Sequence, residues 1–171
     1  MHAVKYNHLQ HHKHCLDDDD IEAVSARMAW WKALLFGPLF PLMLHRQALM
    51  KGSVYYKRWI YGELVLNVSV VCAAVTLFML YGSVLLLVHV GLMVVGQCLT
   101  AFFAVWTVHH DCDESDVFAR TQRGWLKNFI SYDMFYHVEH HLFPKVPQRN
   151  LPEIAKRLDG VVPELMNKRV F

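Results

Sequence analysis

The chain lacks charge over its middle third. Between Glu63 and Asp111 there is no Asp, Glu, Lys or Arg in 47 consecutive residues. Charged residues are 19% of the 171, below the roughly 25% of ordinary soluble domains. A soluble domain of this size does not readily hide so long an uncharged, largely aliphatic run, which argues against an ordinary globular protein. Basic residues are not in excess either: the net charge is +2, with no dense basic patch, so nucleic acid is not an expected partner. No apolar segment of leader type follows Met1, and no signal peptide is expected. The four cysteines, Cys15, Cys72, Cys98 and Cys112, follow no pairing pattern and read as free thiols. The length excludes a large multidomain assembly.

The charge-free run is long enough for two bilayer crossings of about 20 residues each. The expected spans are Ile60–Leu80 and Val84–Val108, separated by Tyr81-Gly82-Ser83, the one obvious turn in the stretch. Trp59, Tyr61, Tyr81 and Trp106 fall at the predicted ends, where aromatic side chains favour the membrane interface. Of 17 Lys and Arg, eight lie from Lys5 to Arg58 and nine from Arg120 to Arg169, with none in the turn. Positive charge stays on the cytoplasmic side, so both flanks, with both termini, are expected there. A second apolar segment, Ala33–Leu44, is too short to span and contains Pro38 and Pro41. With Trp30 and Trp31 before it and His45 and Arg46 after it, it reads as interfacial or re-entrant.

Histidine is abundant, with 12 residues. His2, His45 and His89 are isolated and read as packed or interfacial; the others fall in two regions. The pattern H-x-x-H-H occurs twice, at His8/His11/His12 and at His137/His140/His141, and His109-His110 closes the second span. On a helix, positions i, i+3 and i+4 share a face, so each motif is expected to present three imidazoles to one point. Imidazole is the commonest metal ligand. Six such groups, with one or both of His109 and His110, exceed the four ligands of a single zinc site; two metals are the economical reading. His14 lies off the pattern and is a weaker candidate.

Metal-bound histidines usually donate their second ring N–H to a carboxylate or carbonyl. Asp133, four residues before His137, and Asp111 and Asp113, just after His110, are candidates for that role. Glu139 points away from the histidine face and is expected to pair with an arginine. The acidic run Asp17–Asp20 reads as a solvated loop. Leu151–Leu158 reads as a short amphipathic helix with Asn150 as N-cap and Glu153 completing a capping box.

These motifs resemble those of the membrane fatty-acid desaturases, within the wider class of integral-membrane di-iron desaturases and hydroxylases. The stretch from His137 through His140-His141-Leu142-Phe143-Pro144 to Pro147, followed by Asn150-Leu151-Pro152, is similar to the third histidine box of bacterial-type members. His8-Leu9-Gln10-His11-His12, with acidic residues after it, resembles the second. The likeness extends over nearly the whole chain. It implies an all-α integral membrane fold, with one transmembrane helix hairpin and a helical cytoplasmic cap that carries the boxes. Within one desaturase-like domain, 1–59 would be a cytoplasmic box and interfacial segment, 60–108 the two transmembrane helices, and 109–171 the second box and C-terminal cap. By position, His8, His11, His12, His137, His140 and His141, with His109 or His110, would be ligands of two Fe ions. The implied activity is O2-dependent introduction of a double bond into a lipid acyl chain, with electrons from a ferredoxin, a rubredoxin or a b-type cytochrome.

One departure is plain. The family's first box, H-x-x-x-H or H-x-x-x-x-H, lies some tens of residues before the second, and only seven residues precede His8. The expectation is therefore a short or partial desaturase-like chain with an incomplete ligand set. A hydroxylase or ketolase of the same class, and a non-catalytic truncated homologue, are the competing readings. A zinc hydrolase is disfavoured by the absence of H-E-x-x-H.

Overall fold

The computed structural model describes residues 1–112, 118–167 and 169–170. All regular elements among them are helical; the only β-type contacts are isolated bridges from Thr121 to Tyr136 and Arg169. In chain order the α-helices are α1 (His2–Lys13), α2 (Trp30–Phe36), α3 (Phe40–Lys51), α4 (Val54–Tyr81) and α5 (Leu85–Thr100). The last runs through a π-helical turn (Ala101–Trp106) into α6 (Thr107–His109). Then come α7 (Trp125–Ile130), α8 (His137–Leu142) and α9 (Leu151–Val161).

Both helices of the charge-free run, Val54–Tyr81 and Leu85–His109, are long and apolar enough to cross a membrane. The 28 residues of α4 extend roughly 42 Å at the usual helical rise, more than a hydrocarbon core of about 30 Å. The helix begins at Val54 rather than Ile60, so its first turns reach beyond the predicted span. It ends at Gly82, whose left-handed φ of +65° costs a glycine nothing. Aliphatic side chains on both helices face outward: Val65, Leu66, Leu85 and Leu92 are each more than 60% exposed. Core helices of a soluble protein bury such residues; here the outward face asks for an apolar solvent.

At the other end of the hairpin the chain is densely packed. Leu16, Ala23, Ala26, Phe40, Leu44, Ala101, Val105 and Cys112 form one buried cluster. Small residues let the short 3₁₀ helix Glu22–Arg27 approach the π turn. There Ser25 Oγ donates to the Ala101 carbonyl at 2.8 Å and Trp106 Nε1 donates to the Met28 carbonyl at 2.8 Å. A π turn inserts one residue into the helix and changes the direction in which later side chains point, and α6 with His109 follows directly. Ala33–Leu44 is not one segment: α2 stops at Gly37 and α3 resumes at Phe40, with Pro41 in its first turn, where a missing N–H costs least. Ala33, Phe40 and Leu44 are buried, while Trp30, Trp31, Leu35, Leu39 and Leu42 form an exposed apolar face.

The first histidine motif lies on α1, which packs on α3 and α4 through Ala3, Ala48 and Ile60. Asn7 Nδ2 donates to the carbonyls of Ala3 at 2.7 Å and Leu44 at 2.9 Å. The second motif forms α8, which packs on α9 and the C-terminal segment through Tyr136, Leu151 and Ala155 and through Ala119, Val138 and Leu165. Asn150 does not cap α9. The turn Gln148–Asn150 before it is already helical, so Asn150 lacks the extended backbone an N-cap needs and makes no side-chain cap bond. Glu153 instead accepts from Arg157 Nε at 3.3 Å.

Gly37 sits where α2 meets α5. A Cβ there would lie 1.7 Å from the Cys98 carbonyl oxygen, whereas one at Gly96 meets nothing within 4 Å. Gly37→Ala is therefore expected to lower stability by about 1–3 kcal/mol, the usual cost of overpacking, and Gly96→Ala to leave it nearly unchanged. Thermal unfolding in detergent checks this, and equal melting of the two variants would contradict the close approach.

Candidate metal centre

Adjacent residues on an α-helix point about 100° apart, so His11 and His12 cannot aim at one point, nor can His140 and His141. The expectation that each motif converges on a single point is corrected accordingly. In each motif the i and i+4 histidines go one way and the i+3 histidine goes the other. His8 and His12 from α1 meet His140 from α8. His137 and His141 from α8 meet His11 from α1, with His109 from α6.

In the first group the three Nε2 atoms form a triangle: His8 to His140 3.1 Å, His8 to His12 3.1 Å and His12 to His140 2.9 Å. In the second group four Nε2 atoms form a closed ring. Its edges are His11–His109 at 3.1 Å, His109–His137 at 2.9 Å, His137–His141 at 3.2 Å and His141–His11 at 3.3 Å. His110, one residue past His109, lies outside both groups. Its ring stacks on Trp106, with centroids 4.0 Å apart, and its Nδ1 donates to the Trp106 carbonyl at 2.8 Å.

The opposite ring nitrogens are held from behind. His11 Nδ1 lies 2.6 Å from Asp20 Oδ2, His8 Nδ1 lies 2.8 Å from Glu22 Oε1, and His109 Nδ1 donates to the Phe118 carbonyl at 2.6 Å. Such partners fix the tautomer and turn Nε2 toward the metal side. Asp20 is thus no part of a solvated loop: it is buried and also accepts the backbone N–H groups of Leu16 at 3.0 Å and Ala23 at 3.2 Å. Leu16 takes a left-handed φ of 62° in the turn that delivers its N–H. Burial by itself would raise the Asp20 carboxyl, but the bond to His11, its charge and the Leu16 and Ala23 N–H groups together outweigh it and hold the group below its ordinary value. Asp17, Asp18 and Asp19 are exposed, as the sequence suggests. Neither Asp20 nor Glu22 is recoverable from periodicity, because Asp20 lies in an irregular loop and Glu22 at the start of a short 3₁₀ helix that follows it.

Glu139, between two clustered histidines, is fully buried and points away from them. It accepts from Thr121 Oγ1 at 2.7 Å and pairs with Arg123 Nη2 at 2.7 Å, while Arg123 also grips Asp159 with Nε and Nη2. This network ties α8 to α9 and to the segment before α7. Asp133 is not on the helix with His137; it follows Tyr132 in a turn where both have positive φ, before α8 begins. Asp111 is exposed and faces Arg120 at 3.6 Å, and Asp113 lies outside the described residues.

The remaining histidines stay apart from the clusters. His14 is at the surface, 3.7 Å from Asp17. His2 stacks on Trp59 at 5.0 Å with its Nδ1 2.9 Å from Glu63. His45 bonds the Pro41 carbonyl at 2.7 Å and His89 is exposed on α5. Cys15 Sγ lies 3.8 Å from His11 Nε2; burial pushes its thiol up to about 12, so it stays protonated at neutral pH.

The donor set fits metal ions. Seven imidazole nitrogens face one another, and a neutral imidazole has only one N–H to share. Burial and neighbouring histidines lower His12 and His140 to about 4, and they hold His137 well below its ordinary value, so these rings are neutral and free to ligate. Nitrogens at right angles around an ion at ~2.1 Å sit about 3 Å apart, the edge length seen in both groups.

A family model described as fatty acid desaturase matches residues 1–169, and the chain belongs to that family. No curated protein and no solved structure matches it. Membership, with the two apolar helices, makes this a membrane protein and a desaturase-like oxidoreductase by resemblance.

Two outcomes follow from the site's electrostatics. In the unfolded chain His12 and His140 titrate near 6.5 and in the folded metal-free protein near 4. The unfolded state then binds more protons between these values, so stability is full above about 6.5 and falls as pH drops toward 4. His8, raised by Glu22 against its burial, works in the opposite sense but is a single group. The melting temperature of metal-free protein is expected to fall on acidification from about pH 7 to 5, and a flat profile would count against the buried neutral rings. Arg123→Ala, which leaves the buried Glu139 charge without its cationic partner, is expected to cost about 3–5 kcal/mol, measured by denaturant unfolding.

Proposed function

We propose that this chain is an O2-dependent, lipid-modifying oxidoreductase that introduces a double bond into a fatty acyl chain. The observation that carries the reading is the exchange of ligands between the two boxes. Each box divides its histidines over both groups, so neither group forms without both. That arrangement is a means of building two adjacent metal positions from two short motifs. In this reading His8, His12 and His140 hold one iron and His11, His109, His137 and His141 the other. His109, not His110, is the ligand at the end of the second span.

When bound, the irons supply the capacity to activate O2 and take hydrogen from an unactivated C–H bond. The residues of this chain do the rest. Asp20, Glu22 and the Phe118 carbonyl orient three of the rings, and Glu139 with Arg123 fixes the helix that carries three more. The burial of His11, His109 and His137 keeps water from much of the ring. The apolar hairpin and the exposed face of α2 and α3 support a site at a lipid surface, where acyl chains are the abundant substrate. The division of basic residues supports a cytoplasmic location for both flanks, within reach of an electron carrier such as a ferredoxin, a rubredoxin or a b-type cytochrome. Residues 1–59, 60–108 and 109–171 then serve as box and interfacial segment, hairpin, and second box with cap of one domain.

The test is product analysis by mass spectrometry after expression with a redox partner. Loss of two hydrogens from a lipid acyl chain is expected; an added oxygen would instead mean a hydroxylase. His140→Ala and His141→Ala are expected to abolish turnover and lower iron content, and His89→Ala to change neither. No product together with no bound iron would overturn the reading in favour of a non-catalytic homologue.

A further inference from the structure

The two groups of histidines are not equivalent. The ring has four imidazoles, and three of them, His11, His109 and His137, are at most 6% exposed. Two of the four are fixed from behind, by Asp20 and by the Phe118 carbonyl, each at 2.6 Å. The triangle has three imidazoles among the described residues. His12 and His140 are only partly buried, and the side chain of His8 is 34% exposed. Among the described residues only His8 of these three is fixed from behind, by Glu22 at 2.8 Å. Four imidazoles, three of them deeply buried, would enclose an ion, whereas three partly exposed ones would leave it reachable from solvent.

We propose that the chain binds divalent metal in two unequal steps, the ring His11/His109/His137/His141 filling first and without help. The triangle His8/His12/His140 then takes a second ion weakly, on a face open to an added ligand. This rests on the proposed metal-dependent function and adds the order, affinity and openness of its two positions. The physical basis is additive. One fewer imidazole removes a bond, and a missing partner behind a ring typically costs 10–100-fold in affinity. Exposure leaves water to compete for the ion. The partial exposure of the triangle also leaves it reachable by a small anion or O2, while three of the four ring histidines are buried.

The experiment is a titration of the metal-free full chain in detergent with Co2+, followed by visible absorption and by metal counting after desalting. One equivalent is expected to survive desalting. A second is expected to bind only at free Co2+ at least ~10-fold higher, and azide is expected to perturb the spectrum of that second equivalent alone. His141→Ala should remove the tight step, and His12→Ala only the weak one, with far-UV circular dichroism confirming that both variants fold. If a variant fails to fold, the wild-type titration and its azide response decide the matter. Two equivalents of equal affinity, azide acting on the first, or loss of the tight step in His12→Ala would overturn the inference while leaving the proposed function standing. No binding of either equivalent would overturn both.

Discussion

The constraint on which the rest of this structure depends is angular. Neighbouring side chains on a helix diverge by about 100°, so a His-His pair must serve two places at once. A single H-x-x-H-H helix therefore points imidazoles at two positions and completes neither. Two such helices set face to face make up each other's deficit, and the nitrogen contacts of about 3 Å across α1 and α8 are the result. Seven imidazole rings in so small a volume are held together by the scaffold, because without a cation their nitrogens offer one another little.

Each piece of the scaffold answers that need with a buried polar anchor. Asn7 locks α1 to the α3 backbone through the Leu44 carbonyl, one residue from His8. Glu139 sits inside the second motif and is clamped by Arg123 and Thr121, so the helix that carries His137, His140 and His141 has little freedom to turn. The π turn does the same for His109. It ends a membrane-length helix with a change of register, and the Ser25 and Trp106 bonds hold it against the loop that also brings in Asp20 and Glu22. A buried hydrogen-bonded anchor fixes orientation as well as position, which apolar packing by itself does poorly.

Much of this was legible in the sequence, and the rest was hidden for physical reasons. The hairpin could be read because lipid tolerates no charge, and Gly82 because a tight turn needs a left-handed residue. The histidine motifs could be read because helical spacing is regular. The partition of each motif could also have been deduced from the same 100° rule, which the grouping of i, i+3 and i+4 as one face conceals. Asp20 and Glu22 could not, since an irregular loop and the first residue of a short 3₁₀ helix carry no readable period and the neighbouring Asp17–Asp19 are solvated. Asp133 and Asn150 misled for a related reason: each lies one turn or less from a helix, where spacing still suggests a face but the backbone has already left the helix or entered it early.

Composition also hides where a shortfall falls. Counted along the chain, the histidines look too few for two metal positions, and the deficit seems to weaken the whole site. In space it is localised. The ring draws on α1, α6 and α8 and has its four nitrogens, two of them braced from behind, while the triangle draws only on α1 and α8. The difference traces to the hairpin: its second helix returns to the clusters and adds His109 to one of them, whereas the first helix departs from α3 carrying no histidine toward the other. Among the described residues, which cluster gains a fourth imidazole is thus decided by which membrane helix ends beside it.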